Sequence, residues 1–114
     1  MNPVLFYKCL SDETRLRCLL LIHQHEELCV CELMKALDEA QPKISRHLAQ
    51  LKKSELLADR RQGQWVFYRI NPSLPEWAKN VLGESCQANR AFLAPNESRL
   101  DSMGSRPERI QSCC

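Results

Sequence analysis

The chain has 114 residues, which suffice for one small domain and not for two ordinary ones. Hydrophobic residues make up 44% of it and charged residues 26%, a balance typical of globular proteins. The longest apolar run, Cys18–Ile22, is too short to cross a bilayer, and the N-terminus lacks the basic-then-apolar pattern of a secretory signal. We therefore expect a cytoplasmic protein with no membrane partner.

The net charge of +2 is unevenly distributed along the chain. Residues 41–69 carry seven basic and two acidic side chains, a local charge of +5, so the remainder carries −3. A compact basic patch on a nearly neutral chain indicates a polyanionic partner at one face. The seven basic residues are Lys43, Arg46, Lys52, Lys53, Arg60, Arg61 and Arg69.

Seven cysteines are many for a chain of this length. Their odd number and the absence of an export signal argue against a disulfide framework. Metal or metalloid binding, redox chemistry and core packing remain as explanations.

Three short helices are predicted in the first third of the chain. The first covers Pro3–Leu10. Ser11 has the chemistry of an N-cap, with acidic residues following it, and it predicts a second helix that ends near His25. The apolar spacing predicts a third helix over Val30–Leu37.

A fourth helix is predicted to begin at Pro42, a residue favoured in the first helical turn, and to end near Ser54. Its apolar residues recur at i, i+4 and i+7, which places them on one buried stripe: Ile44, Leu48 and Leu51. The short join over residues 38–41, together with the basic outer face of this helix, indicates a helix-turn-helix.

A hairpin and a fifth helix follow. Strands are predicted over residues 56–61 and 65–70, with a turn at Gln62 and Gly63. The fifth helix opens near Pro75 and carries a long apolar stripe: Leu74, Trp77, Ala78, Val81 and Leu82. This stripe exceeds the needs of so small a core, and it therefore predicts a homodimer.

Two parts of the chain differ in composition. Residues 1–92 are expected to form the DNA-binding and dimerisation domain. From Pro95 onward the chain is rich in serine and has few large apolar side chains, so residues 93–114 are expected to be a flexible C-terminal tail.

The predicted order of elements describes a homodimeric winged helix-turn-helix, mainly α with a β-hairpin. A helix fits the major groove, where Arg46 pairs with guanine and Gln41 reads adenine, while flanking cations bind phosphates. The alternative is a solvated basic face on an ordinary helical domain. The candidate DNA-binding residues are Gln41, Lys43, Ser45, Arg46, His47, Gln50, Lys52, Lys53, Arg60 and Arg61.

Cys29 and Cys31 straddle the predicted start of the third helix. Backbone amides at a helix start are expected to lower a thiol pKa and to favour the thiolate, which binds soft ions. Two thiols at this spacing form neither a tetrahedral zinc site by themselves nor a C-x-x-C redox motif. They suit a thiophilic ion that needs two or three sulfurs, and the alternative is that they are ordinary core cysteines.

Two stretches carry a resemblance to a known family: LSDETRLRCLLLI, and ELCVCELMKALDEAQPKISRHLAQLKKSELLADRRQGQWVFYRI. Over residues 4–85 the chain resembles the arsenical-resistance repressors of the ArsR family. The resemblance implies a homodimeric repressor that binds double-stranded operator DNA of an arsenic-resistance operon. It implies release from DNA when the inducer, arsenite or antimonite, binds Cys29 and Cys31, with no organic cofactor.

One position departs from the family pattern. Met34 stands where the family usually has a third cysteine, and a thioether is a weaker donor than a thiolate. Cys9 and Cys18 lie on apolar stripes and are expected in the core. The candidates for a substitute third ligand are Cys86, Cys113 and Cys114.

Three other functions compete with this one. A cadmium, lead or zinc sensor on the same scaffold takes ligands from an N-terminal arm or the last helix, and neither segment offers a matching set here. A thiol redox switch would use Cys29 with Cys31, or Cys113 with Cys114. An enzyme is not expected, because the three histidines are scattered and no nucleophile, base and orienting group form a set.

Overall fold

A computed structural model describes residues 1–109. Over this range the chain is mainly helical, with a small antiparallel sheet whose hairpin forms the wing, so the predicted winged helix-turn-helix is confirmed. Among these residues no helix combines the length and apolar character needed to cross a membrane. The elements are α1 Pro3–Leu10, α2 Glu13–His25, β1 Leu28–Cys29, α3 Val30–Leu37, α4 Gln41–Lys53, β2 Leu57–Gln62, β3 Trp65–Ile70, α5 Glu76–Ala88 and α6 Arg90–Asp101.

The start of α2 lies one residue later than predicted. Asp12 is the N-cap, and its Oδ1 accepts a hydrogen bond from the backbone N–H of Arg15 at 3.0 Å. Ser11 instead ends α1, where its hydroxyl donates to the carbonyl of Lys8 at 2.7 Å. Asp12 takes the cap because its backbone is extended, as an N-cap requires, whereas that of Ser11 is not.

The helix-turn-helix is formed by α3 and α4. Helix α3 ends at Leu37, and its C-cap residue Asp38, with a left-handed backbone (φ 54°), turns the chain towards α4. Pro42 lies in the first turn of α4, although Gln41 rather than Pro42 is the first helical residue. The predicted stripe of Ile44, Leu48 and Leu51 is completely buried, and this burial orients the opposite face of α4 outward.

The sheet contains a third strand that the sequence pattern did not indicate. Strand β1 pairs antiparallel with β3, with Leu28 opposite Tyr68 and Cys29 opposite Phe67. The strand order is β1-β3-β2, and the hairpin turn is formed by Gly63 and Gln64, one residue later than expected. Two residues are too few to show strand alternation, and β1 exists only because β3 offers it a partner.

The predicted tail boundary at residue 93 is corrected by α6. This helix covers Arg90–Asp101, and it packs on α3 through side chains buried at i, i+3 and i+7: Leu93, Asn96 and Leu100. The polar Asn96 interrupts the apolar pattern, yet it is satisfied in the interior because its Nδ2 donates to the carbonyl of Ala36 at 2.9 Å. Pro95 lies inside α6 on its exposed side, where it lacks the N–H that would donate to the preceding turn.

Candidate nucleic-acid interface and cysteine site

The outer face of α4 carries most of the candidate DNA-binding residues. Burial of the apolar stripe fixes the rotation of the helix about its axis, so residues on the other side point to solvent. Lys43 and Ser45 are half-buried at the edge of this face. The exposed members on α4 are Gln41, Arg46, Gln50, Lys52 and Lys53, and those on the wing are Arg60 and Arg61.

His47 is not part of this surface, and its assignment to the DNA-facing side is corrected. It is 7% exposed, because it follows Ile44 by three residues and so lies on the same buried face. Its Nε2 is 4.0 Å from Oδ1 of Asp12. Burial lowers the pKa of the imidazole, and the nearby Asp12 carboxylate opposes this effect only in part.

Several of the candidate phosphate-binding cations are already paired within the chain. Lys43 Nζ lies 2.9 Å from the carboxylate of Glu39, and Lys52 Nζ lies 2.9 Å from that of Asp59. Within residues 1–109, three of the cations form no ion pair: Arg46, Lys53 and Arg61. These three therefore supply the uncompensated positive charge of the face.

Arg60 joins the wing to the segment that precedes β1. Its Nε and Nη2 donate to the Glu27 carboxylate at 2.6 and 2.7 Å, and its guanidinium lies 4.6 Å from the centre of the Phe67 ring. The hydrogen bond from Arg60 lowers the pKa of Glu27. Contact of Arg60 with a phosphate would therefore compete with its pairing to Glu27.

Cys29 and Cys31 lie where three functional elements meet. Cys29 is the N-cap of α3 and is 2% exposed, while Cys31 is half-buried in the first turn of the helix. Both line a cavity of about 280 Å³, together with Met34 on the same helix and Gln41 at the start of α4. The wing completes the lining with Gln64, Trp65 and Val66. A ligand bound by the two cysteines would therefore lie between the recognition helix and the wing.

The pKa of the Cys29 thiol is raised, whereas the position of Cys29 at a helix start led us to expect a lowered pKa. Burial is the main cause that raises the pKa to about 11, and the negative charge of the neighbouring Glu32 carboxylate acts in the same direction. The backbone N–H groups of Glu32 and Cys31 lower the pKa, as a helix start should, but they do not offset the loss of water. Near neutral pH, Cys29 is thus a protonated thiol.

The remaining cysteines are separated from this cavity or lie outside the described residues. Cys9 and Cys18 belong to the hydrophobic core, as predicted. Cys86 is buried on α5, where its thiol donates to Oε1 of Gln24 at 3.2 Å, and it does not line the cavity of Cys29. The terminal cysteines, 113 and 114, lie outside the described residues.

A helix-turn-helix whose basic outer face keeps some of its cations unpaired, followed by a hairpin wing, is the fold of a DNA-binding transcriptional regulator and not of an enzyme. The sequence profile of the family described as "Bacterial regulatory protein, arsR family" matches residues 12–59. On this match and on the relatives below, the chain belongs to the ArsR family of transcriptional regulators.

Two curated relatives and one solved structure show how far the similarity extends. The chain is 56% identical over 114 residues to the arsenic resistance transcriptional regulator ArsR2 of Pseudomonas putida, covering 100% of this chain and 99% of the relative. It is 54% identical over 83 residues to the arsenical resistance operon repressor of Escherichia coli, covering 73% of this chain and 71% of the relative. The crystal structure of the AntR antimony-specific transcriptional repressor superposes with a TM-score of 0.64 at 28% identity, covering 77% of this chain and 78% of that one.

Proposed function

We propose that the protein is a metalloid-responsive repressor that binds the operator of an arsenic-resistance operon and is released when trivalent arsenic or antimony binds Cys29 and Cys31. The observation that carries the proposal is the shared cavity: both cysteines line it together with the first residue of the recognition helix and the tip of the wing. The names of the relatives, which include arsenic-resistance regulators and an antimony-specific repressor, support arsenite and antimonite as inducers.

Helix α4 provides the DNA-reading surface in this proposal. Arg46 is exposed at its centre, where a guanidinium can pair bidentately with guanine, and Gln41 opens the helix, where its amide can pair with adenine. Lys53 and Arg61 bind phosphates without first breaking an ion pair. Lys52 exchanges Asp59 for a phosphate and so gains less from DNA.

Dimerisation through α1 and α5 would bring two recognition helices onto one operator. Trp77 of α5 is 39% exposed, and its ring centre lies 5.1 Å from that of Phe6 and 6.4 Å from that of Tyr7 on α1. Val4 and Leu5 extend this exposed apolar area. A second copy that covers it would place the two helices in successive major grooves, with half-sites about one helical turn or a multiple of it apart.

In the reduced protein, binding of arsenite at the thiols of Cys29 and Cys31 is an exchange of ligands. Two As–S bonds form, two As–O bonds break, and each thiol proton leaves with a hydroxide as water. Cys29 is paired with Phe67 in the sheet and also caps α3. Bringing Cys29 and Cys31 onto one arsenic therefore acts on the wing and on the helix-turn-helix together. Release follows if the metalloid binds the DNA-incompetent conformation more tightly.

Fluorescence anisotropy of labelled operator DNA, with reduced protein under anaerobic conditions, tests the proposal. Arsenite, antimonite, cadmium, zinc and peroxide are added in turn to the wild type and to Cys29→Ser, Cys31→Ser and Cys86→Ser. We expect arsenite and antimonite to release the wild type and the Cys86 variant, whereas the other two variants bind DNA and are not released. Normal release of either variant by arsenite would refute the assignment. Release by peroxide alone would favour a redox switch, which the protonated state of Cys29 opposes because the thiolate is the reactive form.

The third coordination position of arsenic is tested separately. Met34 lines the cavity, but its thioether is a poor substitute for a thiolate. We propose that the terminal cysteines are at most auxiliary. Deleting residues 112–114 should leave induction by methylarsenite intact, because two thiols satisfy that ligand, and should weaken the arsenite response by about tenfold, or about 1.4 kcal/mol. Loss of both responses would place the primary site in the tail.

A further inference from the structure

Next to the cysteines lies a carboxylate that is completely removed from solvent. Glu32, in the first turn of α3, is 0% exposed, and its Oε1 accepts a hydrogen bond from the backbone N–H of Cys29 at 2.9 Å. Two arginines from the end of the described chain hold the same carboxylate. Arg106 donates through Nη2 to Oε1 at 2.5 Å and through Nε to Oε2 at 3.2 Å, and Arg109 donates through Nη1 to Oε2 at 3.0 Å.

Burial of this carboxylate is tolerated only because of these donors. Burial by itself would raise the pKa of Glu32, yet the hydrogen bonds from Arg106, from the Cys29 backbone and from Arg109 hold it below its ordinary value. A buried charge left without its partners is strongly destabilising. Without the arginines, Glu32 must therefore take up a proton or turn towards water.

The same arginines reach the wing and the segment before β1. The guanidinium of Arg106 lies 5.1 Å from the centre of the Phe67 ring, and it donates to the carbonyl of Glu27 at 3.0 Å. Phe67 is the residue paired with Cys29 in the sheet. Arg106 thus contacts both Glu32, which accepts the N–H of Cys29, and Phe67, which is paired with Cys29 in the sheet.

The C-terminal part of the chain also forms hydrogen bonds with the other end of α3. The carbonyl of Ala36, in the last turn of the helix, accepts from Nδ2 of Asn96 and from Nε of Arg99, both at 2.9 Å. The helix that carries Cys31 and Met34 is therefore held at both ends by residues that follow α5. The hydrogen bonds to Glu32 are therefore part of a larger packing contact between the C-terminal residues and α3.

We propose that Arg106 and Arg109 are positioning residues of the metalloid site. They act through Glu32, whose carboxylate they hold in place. The carboxylate accepts the hydrogen bond from the N–H of Cys29 and so fixes the first turn of α3. In this turn Cys29 and Cys31 line one cavity. The inference rests on the proposed function, because it assigns a role within the same site.

The test compares Arg106→Ala/Arg109→Ala, Glu32→Gln and the triple combination with an exposed control on α6, Arg90→Ala. Arsenite-driven release from operator DNA and binding of phenylarsine oxide, a probe that needs two thiols, are measured on reduced full-length protein. The double variant should need about tenfold more arsenite for half release, and the control should match the wild type. In the Glu32→Gln background the arginine substitutions should change the response less than threefold, because the arginines then have no carboxylate to hold.

A second readout separates positioning from general stability. The rate at which iodoacetamide labels Cys29, measured by mass spectrometry across pH, reports the pKa of the thiol. Losing the arginines should shift this profile to higher pH, and Glu32→Gln should shift it to lower pH. Affinity for DNA without metalloid and the melting temperature verify folding. If the double variant does not fold, Arg106→Lys and Glu32→Gln decide the matter, since both keep a hydrogen-bonding group at the site.

The outcomes also separate this inference from the proposed function. If the arginine and Glu32 variants respond to arsenite as the wild type does, with an unchanged labelling profile, while Cys29→Ser is unresponsive, the positioning role is overturned and the cysteine site stands. If Cys29→Ser is itself released by arsenite, the proposed function fails first. An equal tenfold loss in the presence and absence of the Glu32 carboxylate would show that the arginines do not act through it.

Discussion

The buried thiol of Cys29 predicts that metalloid and zinc respond differently to pH. With a pKa of about 11, about one Cys29 in 10⁴ is a thiolate at pH 7. Zinc binds the thiolate, so removing the proton at pH 7 costs about 5 kcal/mol, at 1.36 kcal/mol for each of the four pH units. The apparent zinc affinity contributed by Cys29 should therefore rise about tenfold for each pH unit. Arsenite exchanges hydroxide for thiol and releases water, so its affinity should change little between pH 6 and pH 8.

Calorimetry in buffers of different ionisation enthalpy measures the protons directly. The slope of the observed enthalpy against the buffer enthalpy gives the number of protons released for each ion bound. We expect a value near zero for arsenite and at least one for zinc on the reduced wild type. The number of protons released for each zinc ion should fall by one in Cys29→Ser. Release of two or three protons for each arsenic would refute the exchange reaction, whereas net uptake of protons would refute the protonated state of Cys29.

Three further predictions concern DNA binding and folding. Lys53→Ala should lower the slope of log affinity against log salt by about one on any sequence, and Lys52→Ala should lower it by less, because Lys52 is paired with Asp59 in the free protein. Arg46→Ala should cost about 1–3 kcal/mol on the operator and much less on random DNA; equal losses would argue against base reading. Because the pKa of Glu32 is lowered in the folded chain, ionised Glu32 stabilises the fold at pH values above 4.5, its ordinary pKa. This stabilisation is lost as the pH falls below 4.5. Denaturation of Glu32→Gln should accordingly depend less on pH in that range than denaturation of the wild type.

Local pattern accounts for most of the fold. The bounds of α1 and α3 agree with the spacing of apolar residues, and the stripe of Ile44, Leu48 and Leu51 on α4 is buried as its i, i+4, i+7 spacing requires. Strand β3 likewise has the predicted bounds, Trp65–Ile70. These features depend on neighbours within one or two turns of chain, so the sequence carries them directly.

The properties of the cysteine site depend on contacts between distant parts of the chain. The spacing of Cys29 and Cys31 is visible in the sequence, but the raised pKa of Cys29 comes mainly from its burial in the folded chain, which no local pattern encodes. Helix α6 was hidden because its buried face includes the polar Asn96, whose hydrogen bond to α3 exists only in the folded molecule.

Glu32 shows most plainly the difference between what local sequence predicts and what contacts between distant residues decide. In the sequence it is an acidic residue in the first turn of a helix, a position that predicts exposure and a favourable interaction with the helix dipole. In the folded chain it is completely buried, and the arginines that compensate it lie 74 and 77 positions away. The sequence by itself determined that the cysteines open α3 and that α4 presents a basic face. Only the tertiary structure decided which charges are paired and which thiol holds its proton, because desolvation and ion pairing depend on distances in space and not along the chain.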